Sequence, residues 1–339
     1  MSESKILTIS DVAEALGISK TTVSRAISGN GRVGVETREK VLSYISEHNY
    51  VPNAMAKGLA QSRTYNVGIV IPKEYTTVDL PFFQRCILGV CDQANRMNYD
   101  VVVCTTSQSD ISQLERLINH HKVDGVILTR TLTMDLAVNY LKEKKVPFVA
   151  IGLSQDSDVI QVDNDHQSAC RELTSILLLQ KIGKIAMLSG DRNFMVTQSR
   201  LRGFMEAMET AGIEVTSDMV YQDIDFMTNV DSIVDEIMER GFDCILCMDD
   251  SICYNVLDKL KRDGVNIPQD IKVASFYNSS VLSRNIPPIT ALQFDAKQLG
   301  ETACSTLFQM MEGKQVPIRY LLGYEIAMKE STKKQEVTS

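Results

Sequence analysis

Lys20, Thr21 and Arg25 are residues whose types and spacing suit hydrogen bonding to the edges of DNA bases. Lys20 and Thr21 begin a predicted helix, and Arg25 lies about one turn further along the same face. Lysine and arginine donate to O6 and N7 of guanine, and threonine can bond a base edge or contact a thymine methyl group. These side chains could therefore contact bases, and the alternative for Lys20 is a solvated helix start or a phosphate contact.

Two short helical patterns separated by a glycine turn must position these side chains. Ser10 is predicted to cap a helix over residues 11–16, and Ser19 to cap a second helix over 20–28. Ala13 and Gly17 are small enough to let the helices approach closely. Apolar contacts are expected from Val12, Leu16, Ile18, Val23 and Ile27. The pattern predicts a helix-turn-helix, whose second helix can lie in a major groove.

A third helix is predicted over residues 37–48, with Val41, Leu42 and Ile45 at core-facing spacing. Four hydroxyl groups in this region are interpreted as caps and phosphate donors, which fix the register on DNA without reading its sequence. They belong to Ser10, Ser19, Ser24 and Thr37.

Charge is divided unevenly along the 339 residues, whose formal net charge is -8. Residues 1–65 carry eight lysines and arginines against six acidic residues, so they hold +2 and the remainder holds -10. Charges separated by more than about 8 Å are screened, so an acidic body does not exclude DNA binding by a basic segment. No signal peptide and no run of about 20 apolar residues is found, and the 8 cysteines are interpreted as reduced core residues of a cytoplasmic protein.

From residue 66 onward, apolar strands alternate with amphipathic helices. Strands are predicted over 66–71, 100–105, 123–128 and 146–151, and then over 184–189, 243–248, 272–276 and 290–294. Such alternation is typical of parallel sheets covered by helices on both faces. The expected fold class is an α-helical helix-turn-helix headpiece followed by α/β, as two doubly wound parallel-sheet subdomains, a two-lobed body that resembles the periplasmic-binding-protein type. Ligands of such folds bind at the carboxyl ends of the strands, here in the cleft between the lobes.

The chain resembles the lactose-repressor (LacI/GalR) family of bacterial transcription regulators over nearly its whole length. The headpiece resemblance rests on Thr8–Ala13, Thr22–Arg25, Thr37–Val41 and Asn49–Asn53. It implies that Lys20, Thr21 and Arg25 occupy the positions that reach bases in the family. The body resemblance rests on Pro81–Phe83, Val123–Val126, Val162–Asp165, Arg200 with Gly203–Phe204, and Leu299–Glu301.

The resemblance implies three parts. They are a headpiece over residues 1–51, a hinge helix and linker over 52–64, and an effector-binding and dimerisation domain over 65–339. The N-lobe of that domain is expected at about 65–161 and 295–322, and the C-lobe at about 162–294 and 323–330. No cofactor or metal is expected.

The segment from Pro52 to Leu59 resembles the hinge helix of the family. The family places two such helices in the minor groove at the centre of a palindromic site, where Leu59 matches the apolar wedge that kinks the duplex. Asn53, Ala56 and Lys57 match the flanking DNA-contacting positions. Lys57 replaces an arginine common in the family, which implies a contact with less planar donor geometry.

The resemblance also implies residues that contact a small effector. Phe82 and Phe83 match an aromatic wall of the N-lobe, and Arg200 matches an arginine that holds carboxylates or sugar hydroxyls in a bidentate manner. Asp249 lies at the carboxyl end of a strand, where Asn or Asp faces the ligand. Asp250 is interpreted as the cap of the next helix. Phe226 matches a loop aromatic that can stack on a ring, with core packing as its alternative.

Tyr277 stands where many family members have an effector-binding aspartate. A phenol replaces an anionic acceptor for vicinal hydroxyls, so a neutral-sugar effector no longer follows directly from the resemblance. Arg130, just after a predicted strand, adds positive charge to the cleft. Together with Arg200 it would suit a phosphorylated or acidic sugar.

The function that the resemblance implies is a repressor of carbohydrate-utilisation genes. It would bind double-stranded DNA at a palindromic operator as a homodimer, with no membrane association, and a sugar, sugar phosphate or acidic sugar would control it allosterically. The tail after Glu325 lacks leucine heptads, which favours a dimer over a tetramer. An activator or a catabolite regulator with a protein corepressor is the alternative, and a sugar-binding protein without a regulatory role is a more remote one.

An enzyme is disfavoured by the sequence. The adjacent carboxylates Asp249 and Asp250 diverge on a turn, and no nucleophile elbow, phosphate loop or metal-ligand cluster accompanies them. The pair His120 and His121 near a helix end is interpreted as solvated. Cys244 and Cys247 have CxxC spacing but fall on a predicted buried strand, where both thiols should be packed.

Overall fold

The computed structural model describes residues 7–28, 31–48, 63–73, 80–224 and 228–333. The chain divides into two compact units, Met1–Thr64 and Tyr65–Ser339. The predictions for Asn53, Ala56, Lys57, Leu59 and Phe226 lie outside the described residues.

The N-terminal unit contains helices α1 (Ile9–Leu16), α2 (Lys20–Ser28) and α3 (Val35–Glu47). Its fully or nearly fully buried residues are Val12, Ala13, Val23, Ala26 and Val41, and the expected contacts of Leu16, Ile18 and Ile27 surround them. The predicted core position of Leu42 is wrong, because this side chain is 44% exposed while its neighbour Val41 faces inward.

The N-lobe of the second unit is built on a six-stranded parallel sheet in the order β11-β5-β4-β3-β1-β2. Its strands are β1 (Asn66–Pro72), β2 (Asp100–Thr106), β3 (Gly125–Leu128), β4 (Phe148–Ile151), β5 (Gln161–Asn164) and β11 (Arg319–Leu322). Its helices are α4 (Leu80–Arg96), α5 (Ser112–Asn119), α6 (Leu136–Lys144) and α12 (Ala296–Met311).

The C-lobe has a second six-stranded sheet in the order β12-β10-β9-β8-β6-β7. It is parallel except for β12, the last strand in the chain, which runs antiparallel to β10. Its strands are β6 (Ile185–Leu188), β7 (Val220–Tyr221), β8 (Cys244–Cys247), β9 (Lys272–Ser275), β10 (Thr290–Gln293) and β12 (Glu325–Ala327). Its helices are α7 (His166–Leu179), α8 (Met195–Thr210), α9 (Val230–Glu239), α10 (Asp250–Arg262) and α11 (Ser280–Arg284), and a 3-10 turn follows at Glu330–Thr332.

The chain passes between the lobes three times, after β5, after β10 and between β11 and β12. The first crossing follows Asn164, whereas the expected boundary was near residue 161, because β5 still pairs within the N-lobe sheet. The carboxyl ends of strands from both sheets therefore border the space between the lobes.

Helices α4 and α12 of the N-lobe pack with direct backbone contact. A Cβ added at Gly89 would lie 2.1 Å from the carbonyl oxygen of Lys297, and one added at Gly300 would lie 2.1 Å from that of Cys86. Only glycine permits so close an approach. This pair of helices covers one face of the N-lobe sheet and carries Phe82 and Phe83 at its edge.

The predicted fold class is confirmed, and all eight predicted strands are present. Strands β5, β7, β11 and β12 were not predicted, since they are short and lack the apolar runs of the central strands. Cys244 and Cys247 are buried in β8 as expected, and burial raises the pKa of the Cys244 thiol to about 12. No helix within the described residues is both long and apolar enough to cross a bilayer.

Candidate functional site

Helix α2 presents a polar face to solvent. Lys20, Thr21, Ser24 and Arg25 are all exposed on it, whereas Val23 and Ala26 on the opposite face are buried. The hydroxyl oxygen of Ser19 accepts a hydrogen bond from the amide of Thr22 at 3.1 Å, so the predicted cap of this helix is confirmed. The four exposed residues therefore occupy one accessible surface at the beginning and middle of the helix.

Arg25 extends across the backbone of Gly31. A Cβ at Gly31 would lie 3.1 Å from Cδ of Arg25, so the aliphatic part of the arginine rests on the glycine. Among the described residues, neither Lys20 nor Arg25 has an acidic partner within ion-pair distance. Both cationic groups are thus available to an external acceptor.

Two predicted caps of the headpiece are wrong. Helix α1 is capped by Thr8 rather than Ser10: the amide of Asp11 donates to Oγ1 of Thr8 at 3.4 Å, and the amide of Thr8 donates to Oδ2 of Asp11 at 2.8 Å. This reciprocal pair is a capping box, which fixes the helix start two residues earlier. Thr37 does not cap α3 either, because that helix begins at Val35 after Gly34.

A cavity of about 210 Å³ lies between the two lobes. It brings together six of the predicted effector residues, Phe82, Phe83 and Arg130 from the N-lobe and Arg200, Asp249 and Tyr277 from the C-lobe. Residues that were not predicted also line it, among them Thr129, Thr131, Asp163, Asn164, His166 and Phe194.

Arg200 is the buried cation of this cavity, with 7% of its surface exposed. Its Nη1 donates to the main-chain oxygen of Met248 at 2.7 Å, and its Nε donates to Nδ1 of His166 at 3.4 Å. The guanidinium carbon lies 5.9 Å from the centre of the Tyr277 ring. Three elements of the C-lobe therefore hold the side chain in one orientation.

His166 and Asp163 form a buried polar pair beside Arg200. Nε2 of His166 lies 3.5 Å from Oδ1 of Asp163, which also accepts a hydrogen bond from the amide of Asn164 at 2.8 Å. Burial raises the pKa of Asp163 to about 7, although the Asn164 amide and the charges of Arg200 and Arg319 oppose this rise. Burial and the charge of Arg200 hold the pKa of His166 well below its ordinary value.

The prediction that Asp250 caps the helix after β8 is wrong. Asp249 caps α10, since its Oδ1 accepts a hydrogen bond from the amide of Ile252 at 2.9 Å. Asp250, predicted to be the cap, is the first residue of the helix and is 2% exposed. Both still line the cavity, so the prediction that Asp249 faces it stands alongside its capping role.

Aromatic rings form the apolar part of the wall. Tyr277 meets the edge of Phe82 at 5.9 Å between ring centres, and it stacks on Phe294 at 6.2 Å. These contacts join helix α4 of the N-lobe to the segments that follow β9 and β10 of the C-lobe. Such faces suit the C–H surface of a sugar ring or another flat apolar group.

Two loops from opposite lobes are bonded to each other at the cavity. The amide of Thr133 donates to the oxygen of Asn193 at 2.9 Å, and the amide of Met195 donates to the oxygen of Thr131 at 3.2 Å. Between these bonds, Leu132 and Phe194 form an isolated antiparallel bridge. The guanidinium of Arg130 lies 4.6 Å from the centre of the Phe194 ring.

Two family models match this chain. Residues 8–53 match bacterial regulatory proteins of the lacI family, and residues 64–332 match the periplasmic binding proteins and sugar binding domain of the LacI family. The chain belongs to the LacI family. It is a DNA-binding transcriptional regulator with a sugar-binding domain, built from the helix-turn-helix and the two lobes described above.

Relatives of known name support this membership. The HTH-type transcriptional regulator MalR of Staphylococcus xylosus is 31% identical, and the match covers 96% of this chain and 98% of MalR. The HTH-type transcriptional repressor PurR of Vibrio parahaemolyticus is 26% identical over 96% of this chain and 99% of PurR. These LacI-family relatives are named as regulators and not as enzymes.

Solved structures show the same architecture. A complex of the transcriptional regulator CelR with cellobiose is 28% identical, with a TM-score of 0.71 and coverage of 96% of this chain and 99% of CelR. The lac repressor dimer bound to operator and the anti-inducer ONPF has a TM-score of 0.81 at 23% identity, covering 97% of this chain and 99% of that one. The second likeness concerns the fold.

Proposed function

We propose that this LacI-family regulator is a repressor of carbohydrate-utilisation genes, which binds a palindromic operator as a homodimer and responds to a sugar or sugar derivative in its cleft. One observation carries the proposal: a single chain combines an exposed cationic face on α2, without an acidic partner among the described residues, with a cavity walled by both lobes of a sugar-binding domain. A protein that works in this way contacts DNA in the cytoplasm.

On the DNA side, Lys20, Thr21 and Arg25 read base edges, and Ser19 and Ser24 contact phosphates. The exposure of these residues and the absence of acidic partners for Lys20 and Arg25 among the described residues support these roles. Ser10 and Thr37 do not cap a helix, and in this proposal their hydroxyl groups donate to phosphates. In the hinge, Asn53, Ala56 and Lys57 follow the minor groove and Leu59 opens a base step.

On the ligand side, Arg200 donates hydrogen bonds, Asp249 accepts them, and Phe82, Phe83 and Tyr277 provide apolar faces. Arg130 and Phe194 close the cavity between the bonded loops. Phe226 adds a further aromatic contact in this proposal.

Allosteric control of operator binding would arise because a single ligand contacts both lobes. A ligand that fits one relative orientation of the lobes better than another shifts the equilibrium toward it. In a dimer this shift alters the separation of the two headpieces and hence their fit to half-sites about one helical turn apart. The likeness of this chain to the PurR repressor, the CelR–cellobiose complex and the lac repressor dimer supports the repressor role, the sugar effector and the dimer.

Genomic footprinting of the bound protein tests the proposal. We expect protected palindromes beside carbohydrate-utilisation operons, and we expect a sugar metabolised by those operons to change operator affinity at least tenfold in gel-shift titrations. Protection of sites without twofold symmetry, or operator affinity that no sugar of the adjacent operons alters, would contradict it.

The hinge has its own test, Leu59→Ala. Loss of the wedge should weaken operator binding by about tenfold and reduce the bend of the duplex, because unstacking of a base step requires the side chain. Ligand affinity should stay the same. Circularly permuted operator fragments measure the bend, and Leu179→Ala, at a position 84% exposed on α7, is the control. An unaltered bend would contradict the wedge role of Leu59.

A further inference from the structure

The donor atoms of Arg200 are divided between the protein and the cavity. Nε is bonded to His166 and Nη1 to the oxygen of Met248, while no acceptor for Nη2 is found in the part of the chain that the structure describes. Carboxylates and phosphates are gripped most strongly by two parallel N–H groups of a guanidinium, for example Nε with Nη2. The bond to His166 occupies one of these two, so this side-on grip is closed to a ligand. The end-on pair of Nη1 and Nη2 is left, and in it Nη1 already donates to the Met248 oxygen.

The orientation of the His166 ring is what keeps Nε occupied. A guanidinium can only donate, so Nδ1 of His166 is the acceptor and the ring proton is on Nε2, which faces Oδ1 of Asp163 at 3.5 Å. The edge of Phe294 contacts the ring at 4.6 Å between centres. A depressed pKa keeps the ring neutral near pH 7, so that Nδ1 stays an acceptor.

The charges on the cavity wall do not favour an anion. Two guanidinium groups, of Arg130 and Arg200, face three carboxyl groups, of Asp163, Asp249 and Asp250. If Asp163 is protonated, the remaining two carboxyl groups still equal the two cations in number. A phosphate or carboxylate entering this cavity would lose its hydration without meeting a surplus of positive charge.

We propose that His166 is a positioning residue that holds Arg200 as a one-sided donor, and that the cleft consequently takes uncharged, hydroxyl-bearing ligands in preference to phosphorylated or acidic ones. The inference rests on the proposed sugar-sensing function and narrows its ligand class. A phosphorylated or acidic sugar, which the sequence suggested through Arg130 and Arg200, is therefore disfavoured as the ligand. Hydroxyl groups can accept from Nη2 singly and donate to the carboxyl oxygens, which matches the mixture of groups on the wall.

Calorimetric titration of the full-length protein at pH 7.5 tests the ligand class. The neutral probes are glucose, maltose and cellobiose, and the anionic probes are glucose 6-phosphate, maltose 6-phosphate and glucuronate. We expect at least one neutral sugar to bind at least tenfold more tightly than its own anionic derivative. An anionic derivative that binds as tightly as its parent, or more tightly, overturns the inference.

Three variants test the role of His166. His166→Leu removes the acceptor and frees Nε, so the ratio of anionic to neutral affinity should rise about tenfold. His166→Gln should act similarly, since its amide reaches the Nε2 position rather than Nδ1. It replaces the leucine variant in the experiment if that variant does not fold. His166→Asn places an oxygen near the Nδ1 position and should keep the wild-type ratio to within about threefold.

The affinity ratio separates positioning from a merely structural role. A general loosening of the cleft would weaken neutral and anionic sugars alike and leave the ratio unchanged, which would overturn the role of His166. Operator binding without ligand confirms that each variant is folded. If only anionic sugars bind and alter operator affinity, the proposed function stands and the inference fails; if no sugar binds while operator DNA does, sugar sensing fails and the inference with it.

Discussion

Helix α2 and the cleft present arginine in opposite ways. Arg25 is exposed, with its guanidinium available to an external acceptor, whereas Arg200 is 7% exposed and is bonded to His166 and to the Met248 carbonyl. DNA can supply base and phosphate partners to an exposed cation at the moment of binding. A small ligand buries most of its surface, so the protein must fix its own polar groups beforehand. The protein itself thus fixes the orientation of Arg200, whereas DNA would supply the partners that fix Arg25.

The substitution of arginine by lysine in both regions is the sharpest way to test this difference. Arg200→Lys should weaken ligand binding by about 100-fold, because lysine cannot reproduce the fixed fork and leaves the Met248 oxygen and His166 Nδ1 short of a donor. Operator affinity without ligand should change by less than about threefold. Calorimetry with the bound sugar and gel-shift titration measure the two effects, and equal losses of both would remove the distinction between the regions.

Arg25→Lys should have a smaller effect, in the other function. Operator affinity should fall by about tenfold, since charge is kept but bidentate donation to guanine is lost. Ligand affinity should remain that of the wild type. Arg202→Lys, at an exposed position of α8, is the matched control and should alter neither. A loss of ligand binding in Arg25→Lys would show that the headpiece contributes to the cleft.

Asp163→Asn tests the buried network through pH. The pKa of Asp163 is raised from its ordinary value near 4 to about 7 in the folded protein, so between these values the unfolded chain is ionised while the folded one keeps its proton. Stability therefore falls as pH rises through this window. Asparagine resembles the protonated acid, so the variant should gain on the order of 1 kcal/mol over wild type at pH 8 and nothing near pH 4. Melting temperatures at both pH values measure the gain, and an equal gain at pH 4 would contradict the raised pKa.

The smallest effect is expected at the first helix of the headpiece. Thr8→Ala should cost about 1 kcal/mol of local stability, because it removes the capping box with Asp11. Ser10→Ala lies inside the helix and should cost close to nothing. Hydrogen exchange of the α1 amides distinguishes the two, and faster exchange in Ser10→Ala than in Thr8→Ala would reverse the assignment of the cap.

Local patterns in the sequence account for what was predicted in the headpiece. Ser19 and the helix it caps are set by neighbours within a few residues, and their bounds were predicted correctly. The error at α1 was also local: Thr8 with Asp11 three residues later is a capping-box signal that competes with Ser10. The exposed position of Leu42 depends on how α3 turns against the other two helices, which spacing alone does not determine.

The cleft could be predicted only in part, because its residues meet over long separations. Arg200, Phe83 and Tyr277 could be named from the family resemblance, and the structure places all three at the cavity. His166 was missed, since its contact with Arg200 spans 34 residues and a histidine at a helix start gives no local sign of it. Phe194 was missed for a similar reason, as its partner Leu132 lies on the other lobe. The edge strands β11 and β12 take their form from pairing with β5 and β10.

The bonded loops at Thr131–Thr133 and Asn193–Met195 bear on how long a ligand stays bound rather than on how tightly it binds. These bonds join main-chain atoms, so they do not require a particular side chain, and Thr131 and Phe194 of the loops line the cavity. We infer that opening of this contact limits the release of a sugar from the proposed site. The residence time of the sugar, and with it the delay before transcription responds to a fall in sugar concentration, is then governed by the opening rate of the loops.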